Sequence, residues 1–175
     1  MQTCFIQLGS NLGNKERNLQ NARDLIISTI GTITMRSSLY LSESWGFETA
    51  DIFLNQVIKV NTFESPENVL TKLLELETVI GRKRNGNGGY ASRLIDLDML
   101  FYADRVISEN GLVVPHPLLH KRRFVLTPIN EIAPDLVHPV FHKTISELLL
   151  NCDDRLKVKL YKPKQPNSLT WASLK

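Results

Sequence analysis

The chain has 175 residues, of which 42% are hydrophobic and 22% charged, and its formal net charge at pH 7 is +3. This length and composition predict one globular domain with an ordinary core. So small a charge does not require a nucleic acid partner, and no segment approaches the roughly 18 apolar residues of a membrane span. Without a basic leader or paired cysteine motifs, we expect a soluble, cytoplasmic protein with reduced cysteines.

The chain opens with a predicted strand and helix. Residues 3–8 form a short strand that ends at Gly9-Ser10-Asn11. That turn resembles a phosphate loop only weakly, because it lacks the Walker lysine, so a tight turn is the better interpretation. Asn14 is a suitable N-cap for a helix that runs to about Ile30.

Two β-rich segments and a second helix follow. Residues 32–41 and 53–63 are rich in strand formers and are joined by a loop. Ser65-Pro66 supplies an N-cap and a proline at the first helical position, which predicts a helix to about Ile80. The helix is expected to stop at Gly81.

The most informative segment is the strand that carries Asp96-Leu97-Asp98. Alternation puts Ile95, Leu97, Met99 and Phe101 on one face and the two carboxylates on the other. At about 3.3 Å per residue both acids can reach one Mg²⁺ or a pair of ions. Two exposed strand acids are the simpler interpretation of such a pair. The neighbouring cations favour a metal and phosphate site, and hence nucleotide chemistry. They are Arg82, Arg84, Arg93, His116, Arg122 and Arg123.

The order of elements predicts the fold. The pattern β-α-β-β-α-β is that of the ferredoxin-like α+β arrangement, in which helices cover one face of an antiparallel sheet and leave the other open for a ligand. Residues 102–151 add a hairpin and short helices. We therefore expect one domain over residues 1–151, followed by a surface-wrapping or partly disordered tail over residues 152–175.

Three further features suggest a ligand site. Asn85-Gly86-Asn87-Gly88-Gly89 is either a connector or a mobile lid that closes over phosphates and orders only when both ligands are bound. Glu77 falls on the apolar stripe of its helix, so it needs either a buried ion-pair partner or a ligand role. Phe53 and Phe124, each considered alone, are most simply interpreted as core aromatic residues. Phe53 with Asn55 also offers a stacking plane and an amide for a flat heterocycle.

Several separated segments together resemble one family. They are Leu8-Gly9-Ser10-Asn11-Leu12-Gly13, Ser37-Ser38-Leu39-Tyr40, Phe53-Leu54-Asn55, Glu77 with Gly81-Arg82-Lys83-Arg84, Arg93-Leu94-Ile95-Asp96-Leu97-Asp98, and Val114-Pro115-His116-Pro117 with Arg122-Arg123-Phe124. In order and spacing they resemble the 6-hydroxymethyl-7,8-dihydropterin pyrophosphokinases over roughly residues 3–140. This resemblance implies transfer of the β,γ-diphosphate of ATP to the pterin hydroxymethyl group, with release of AMP, in folate biosynthesis.

The resemblance also implies roles for individual residues. Asp96 and Asp98 would be ligands of two Mg²⁺ ions, and with Arg82 and Arg93 they would form the catalytic centre. The ATP site would comprise Glu77, Arg82, Arg84, Arg93, Met99, His116 and Arg122. The pterin site would comprise Ser42, Glu43, Trp45, Phe53, Asn55, Tyr90, Asp96 and Phe124. A monomer and association with dihydropteroate synthase are further expectations.

The sequence departs from the family pattern at two positions. Gly89-Tyr90 stands where relatives commonly have a basic residue followed by tryptophan, so Tyr90 would replace the tryptophan, with Lys83 or Arg123 as compensating cations. Gly111 stands where some relatives carry an arginine near the adenosine.

Two other functions are compatible with parts of the sequence. A ferredoxin-like RNA-binding module would use an open sheet and basic loops, but the RNP-type signature is absent. A Mg²⁺-dependent phosphohydrolase would use the same acids without a pterin.

Overall fold

The computed structural model describes residues 1–45, 51–81, 93–109 and 111–163. Within these ranges the protein combines antiparallel strands with four α-helices. The strands are β1 (Gln2–Ser10), β2 (Gly31–Arg36), β3 (Tyr40–Ser42), β4 (Phe53–Thr62), β5 (Asp96–Tyr102), β6 (Ile107–Glu109), β7 (Leu112–Val114) and β8 (Val158–Leu160). The helices are α1 (Lys15–Thr29), α2 (Pro66–Ile80), α3 (Arg123–Ile132) and α4 (Ile145–Leu150), with a 3₁₀ turn at Leu119–Lys121. No helix in these ranges is long and apolar enough to cross a membrane.

The main sheet is built around β1 and β4. Its order is β5-β1-β4-β3-β8, and β2 also pairs with β4. All of these pairs are antiparallel. The predicted antiparallel sheet with helices is thus confirmed, and so is the hairpin after it, which is formed by β6 and β7.

The helix boundaries follow local capping signals. The Asn14 side chain accepts a hydrogen bond from the Arg17 N–H at the start of α1, and the Ser65 side chain accepts one from the Asn68 N–H at the start of α2. Gly81 ends α2 with φ of 104°, a left-handed conformation that glycine adopts without a Cβ penalty. The boundaries predicted at these caps are confirmed.

Helices α1 and α2 cover one face of the sheet. Their buried side chains form a single cluster with alternate residues of β1, β4 and β5. The cluster includes Leu19, Ala22, Ile26, Val69, Leu73 and Leu76 from the helices, and Ile6, Leu8, Ile58, Val60 and Leu97 from the strands. Because side chains alternate along a strand, this packing directs the intervening strand residues to the opposite face.

That opposite face is only partly open, which corrects the prediction that helices cover one face alone. Helices α3 and α4 pack against one end of it and form a second cluster. The cluster includes Phe5, Val57, Leu100 and Phe101 from the sheet, and Leu119, Val125, Leu126, Ile129, Ile145 and Leu148 from the added elements. The ligand-accessible surface is therefore confined to the other end.

A bulge in β5 moves Phe101 to that second cluster. The pairing of β1 with β5 shifts between Phe5 and Ile6, so that Phe5 lies opposite Phe101 and Ile6 lies opposite Met99. The extra residue, Leu100, reverses the alternation beyond it. The prediction that Phe101 shares a face with Met99 is wrong, because Met99 packs against the helices and Phe101 does not.

The segment after α4 lies along the domain. Strand β8 pairs with β3, and the Asp154 carboxylate accepts a hydrogen bond from the Arg123 N–H at 2.9 Å. Residues 164–175 lie outside the described ranges.

Candidate functional site

Three adjacent strands form the floor of the site. On the face away from α1 and α2, Gly9 of β1 lies opposite Asn55 of β4 and Asp96 of β5. One pleat further along, Gln7 lies opposite Asp98. The sheet register thus places the two carboxylates beside an amide-lined hollow.

The turn after β1 positions Arg93. The Asn11 N–H donates to the Arg93 carbonyl at 3.2 Å, and the Arg93 N–H donates to Asn11 Oδ1 at 2.6 Å. The Arg93 guanidinium lies 2.9 Å from Asp96 Oδ1, in an ion pair that is largely shielded from solvent. The strand runs to Ser10, beyond the predicted end at residue 8, and the turn that begins at Asn11 holds Arg93 next to the first carboxylate.

Arg122 connects the second carboxylate to two aromatic rings. Its Nη1 atom lies 3.9 Å from Asp98 Oδ2. Its guanidinium carbon lies 4.8 Å from the centre of the Trp45 ring and 5.8 Å from that of Phe124, within the range of cation–π attraction. One arginine thus contacts both the charged and the aromatic parts of the site.

The electrostatic surroundings of Asp98 disfavour its charged form. Burial, followed by the negative charge of Asp96, raises the pKa of Asp98 to about 7, although Arg122 and Arg93 act in the opposite direction. A second negative charge in this position is costly unless further positive charge is supplied. The electrostatics therefore favour a cation between the two strand acids.

A smaller cavity of about 450 Å³ lies on one side of the carboxylates. Its walls combine aromatic rings with hydrogen-bonding groups. It is lined by Gln7, Gly9, Ser42, Glu43, Trp45, Phe53, Asn55, Arg93, Asp96, Asp98, Arg122 and Phe124. This combination suits a flat heterocycle, whose faces stack on the aromatic rings and whose edge forms hydrogen bonds with the polar side chains.

A larger cleft of about 1010 Å³ lies on the other side. It is lined by Leu70, Leu74, Glu77, Arg93, Asp96, Leu97, Asp98, Met99, Gly111, Leu112, Val113, His116, Pro117 and Arg122. Arg93, Asp96, Asp98 and Arg122 line both spaces. The smaller cavity and the larger cleft therefore meet at the carboxylate pair.

Glu77 lies at the wall of the larger cleft and is 1% exposed. Its Oε1 atom accepts a hydrogen bond from the Leu97 N–H at 2.9 Å. Leu97 lies between the two strand acids, so this bond ties α2 to the carboxylate strand. The predicted alternatives for Glu77, a buried ion pair or a ligand role, stay predictions, because Arg82 and Arg84 lie outside the described residues.

His116 contributes a neutral ring to the same cleft. Burial and then the positive charge of Arg122 lower the pKa of His116 to about 4. Its Nδ1 atom accepts a hydrogen bond from the Leu118 N–H at 3.2 Å. This acceptor role leaves Nε2 as the N–H that can donate to a ligand oxygen.

The structure brings together most residues that the resemblance nominated. The predicted pterin residues Ser42, Glu43, Trp45, Phe53, Asn55, Asp96 and Phe124 all line the smaller cavity, and the predicted ATP residues Glu77, Arg93, Met99, His116 and Arg122 all line the larger cleft. Arg82, Arg84 and Tyr90, together with Lys83, Gly89 and the predicted lid, lie outside the described residues. Their roles stay predictions.

Sequence reasoning missed two residues of the floor, Gln7 and Gly9. Gln7 is 3% exposed. Gly9 was assigned only to the turn, although it lies within β1 and leaves open space beside Asn55. The available signal was a glutamine inside the otherwise apolar run Phe5-Ile6-Gln7-Leu8, since a buried amide requires a partner.

The donor set fits a hard divalent cation completed by substrate. In the described ranges, no group of three or more His, Cys, Asp or Glu side chains is placed to hold a metal ion. Two carboxylates are nevertheless sufficient for Mg²⁺, which commonly binds one or two protein carboxylates together with substrate phosphates and water.

Comparisons with known proteins agree with this geometry. The family model described as 7,8-dihydro-6-hydroxymethylpterin-pyrophosphokinase (HPPK) matches residues 5–134. The 2-amino-4-hydroxy-6-hydroxymethyldihydropteridine pyrophosphokinase of Aquifex aeolicus is 38% identical over 147 residues, which are 84% of this chain and 90% of that protein. The chain belongs to the 7,8-dihydro-6-hydroxymethylpterin-pyrophosphokinase family.

Some similar proteins are much longer. The folic acid synthesis protein fol1 of Pneumocystis carinii is 37% identical over 139 residues, which are 79% of this chain but only 18% of that protein. The wild-type HPPK-DHPS of Plasmodium falciparum with SDX-DHP has the same fold, with a TM-score of 0.68 at 18% identity. The match covers 86% of this chain and 43% of the solved one, so this chain spans less than half of that structure.

Proposed function

We propose that the protein transfers the β,γ-diphosphate of ATP to the hydroxymethyl group of 6-hydroxymethyl-7,8-dihydropterin and releases AMP, as a step of folate biosynthesis. The observation that carries this proposal is the meeting of the smaller cavity and the larger cleft at Asp96 and Asp98. A transfer of this kind requires donor and acceptor to be held on either side of one charged centre. Membership of the family supports the identity of both substrates.

The smaller cavity suits the pterin. Phe53 and Phe124 provide ring faces, while Ser42 and Asn55 provide polar groups for the edge of the heterocycle. We propose that the pterin is bound here with its hydroxymethyl group toward Asp96 and Asp98, which line the same cavity. Tyr90 is proposed as an additional cover on the basis of the family resemblance alone.

The larger cleft suits ATP. Its apolar wall, formed by residues such as Leu74, Met99 and Leu112, can accept the adenine ring. Arg93, Arg122 and the His116 N–H stand at the end near the carboxylates, where the phosphates must lie. Arg82 and Arg84 would add positive charge from the segment between α2 and β5.

Asp96 and Asp98 are proposed as the ligands of two Mg²⁺ ions. When bound, Mg²⁺ supplies charge neutralisation at the phosphate oxygens and orients them for displacement. The protein would supply the rest, because Arg93 and Arg122, which lie beside the two carboxylates, could bind phosphate oxygens at the same place. Positioning and charge stabilisation are sufficient for such a transfer without a strong protein base.

The bonds exchanged are those of a single displacement. The hydroxymethyl oxygen attacks the β-phosphorus of ATP, the bond from that phosphorus to the bridging α-oxygen breaks, and AMP leaves with the electron pair. The hydroxyl proton passes to water or to a carboxylate of the site. The product is the pterin methyl diphosphate.

We also infer a ferredoxin-like core. The strand order β5-β1-β4, with β2 and β3 both on the outer side of β4, supports it. A cytoplasmic location is proposed because Cys4 and Cys152 are buried and free, as in a reducing compartment. Association with dihydropteroate synthase is proposed from the similar HPPK-DHPS chains, in which both names belong to one protein.

The test is to identify the products of the purified protein. With ATP, Mg²⁺ and 6-hydroxymethyl-7,8-dihydropterin, we expect AMP and the pterin diphosphate in equal amounts, measured by chromatography and mass spectrometry. ADP with a pterin monophosphate would contradict the diphosphoryl transfer. Phosphate release that does not depend on the pterin would instead indicate a phosphohydrolase.

A further inference from the structure

The buried amide of Gln7 is part of the site but is explained by neither the resemblance nor the proposed chemistry. Gln7 lies on β1, is 3% exposed and lines the smaller cavity between Asp98 and Val57 of the neighbouring strands. Its Oε1 atom is buried and has no hydrogen-bond partner among the described residues. A buried amide oxygen without a hydrogen bond lowers the stability of the fold. A glutamine at the floor of a binding cavity therefore suggests a role in that site.

A chain of hydrogen bonds links Gln7 to Asn55 and Ser42. Gln7 Nε2 donates to Asn55 Oδ1 at 3.2 Å, and Asn55 Nδ2 donates to Ser42 Oγ at 2.9 Å. All three side chains are buried and line the smaller cavity. The orientation of the Asn55 amide therefore depends on its neighbours.

Backbone carbonyls at both ends fix the direction of this chain. Gln7 Nε2 also lies 3.4 Å from the Leu8 carbonyl oxygen, and Asn55 Nδ2 lies 3.5 Å from the Tyr40 carbonyl oxygen. A carbonyl oxygen only accepts, so the amide atom that faces it must be a nitrogen. The serine hydroxyl can donate or accept, so it does not by itself decide which way the Asn55 amide points.

We propose that Gln7 is a positioning residue that fixes the polarity of the Asn55 amide, and thereby selects heterocycles whose edge carries a donor and an acceptor in one order. Gln7 engages one lone pair of the Asn55 oxygen, which keeps that oxygen on the β1 side with a second lone pair for a ligand. The Asn55 nitrogen stays on the β3 side, where its 3.5 Å contact with the Tyr40 carbonyl is long enough to be exchanged for a ligand acceptor while the bond to Ser42 is kept. A 2-amino-4-oxo ring presents the matching N–H and carbonyl. A 2,4-diamino ring presents the reverse order at the same edge.

This inference rests on the proposed function and is tested by binding selectivity. The probes are 6-hydroxymethylpterin and 2,4-diamino-6-hydroxymethylpteridine, titrated by calorimetry into the protein with Mg²⁺ and a non-hydrolysable ATP analogue. The variant is Gln7→Met, which keeps the volume and removes both amide atoms. We expect the wild type to bind the 4-oxo ring more tightly than the 2,4-diamino ring. In the variant the ratio of the two affinities should fall by about tenfold, which corresponds to one neutral hydrogen bond.

Gln56→Met is the matched control. Gln56 is also buried on β4, but it donates to the Ser37 carbonyl and accepts from Arg23 on the face away from the cavity. We expect its substitution to lower the melting temperature without changing the 4-oxo preference. An unchanged preference in Gln7→Met, or an equal loss of affinity for both probes and for the ATP analogue, would overturn the role of Gln7. Failure of the wild type to bind either probe would instead contradict the proposed function.

Discussion

The two strand acids differ in their surroundings although they are only two residues apart. Asp96 is held by Arg93 at 2.9 Å, whereas Asp98 is 3.9 Å from its nearest described cation. Burial and the charge of Asp96 raise the pKa of Asp98, so the folded protein without a metal carries an electrostatic cost at this position. Function and stability therefore oppose each other at Asp98.

Neutralising either acid is expected to abolish turnover without loss of the fold. Asp96→Asn or Asp98→Asn should lower kcat by roughly 100-fold or more, because metal charge stabilisation is worth several kcal/mol. Asp98→Asn should not lower the melting temperature at pH 7.5, since it removes a half-buried negative charge that lies beside Asp96 and is only weakly compensated by Arg122. The exposed Asp104→Asn is the control for both AMP formation and thermal unfolding. Near-normal activity in both site variants would refute the metal assignment.

Gly9 offers a second test at the scale of one residue. A Cβ added to Gly9 would lie 3.4 Å from Asn55 Oδ1 and 3.9 Å from the Phe53 ring, so it fits the fold but enters the smaller cavity. Gly9→Ala should weaken pterin binding slightly and Gly9→Val by about tenfold or more, as expected when a packed space is overfilled. Binding of an ATP analogue should be unchanged, because Gly9 does not line the larger cleft. Equal loss of both ligands would place the pterin elsewhere.

At the scale of elements, the segment between α3 and α4 places His138 in an aromatic cluster beside the second core. His138 is 3% exposed, and its ring centre lies 5.4 Å from that of Phe101 and 4.5 Å from that of Phe141. Its Nδ1 atom accepts from the Val140 and Phe141 N–H groups. Burial and then the nearby His120 lower the pKa of His138 to about 4.

This cluster predicts a pH dependence of stability. In the unfolded chain His138 takes up a proton near its ordinary pKa of 6.5, but in the folded protein it does so only near pH 4. The unfolded state therefore binds more protons between these values, so the free energy of unfolding should fall as the pH falls from about 6.5 to about 4. Denaturant unfolding of the wild type and of His138→Asn should show a shallower fall in the variant. If the unfolding free energies of the two proteins fall equally with pH, His138 does not cause the pH dependence of stability.

Local signals explain which elements could be predicted. The caps at Asn14, Ser65 and Gly81 act within a few residues, so the sequence alone defined α1 and α2. The bulge at Leu100 depends on pairing with β1, a segment about ninety residues away. No pattern in the neighbouring residues predicts it. The cover formed by α3 and α4 likewise depends on tertiary packing.

The same distinction applies to the site. Asp96 and Asp98 were predicted from alternation within one strand, and the other lining residues from motifs of the family. Gln7 could not be given a role in this way, because its partners Asn55 and Asp98 come from two other strands and are adjacent only in the sheet. Side-chain networks across strands are the part that single-sequence reasoning misses.

At the scale of the whole molecule, two arginines partly neutralise the carboxylate pair. Arg93 lies 2.9 Å from Asp96 and Arg122 lies 3.9 Å from Asp98. Removal of Mg²⁺ with a chelator should therefore abolish AMP formation while changing the melting temperature of the ligand-free protein by less than about 2 °C. AMP formation and the melting temperature are both measured on the same preparation of protein. Substantial AMP formation after chelation would contradict the metal requirement, and a large fall in melting temperature would indicate a structural ion.

We propose that two substrates meet at one carboxylate pair, the pterin in the smaller cavity and ATP in the larger cleft. The most direct measurement is a crystal structure with Mg²⁺, an α,β-methylene analogue of ATP and 6-hydroxymethylpterin. We expect the pterin between Phe53 and Phe124, the adenine beside Leu74 and Met99, and the metal ions between the phosphates and the carboxylates of Asp96 and Asp98. A pterin outside the smaller cavity, or metal ions that do not contact these two aspartates, would contradict it.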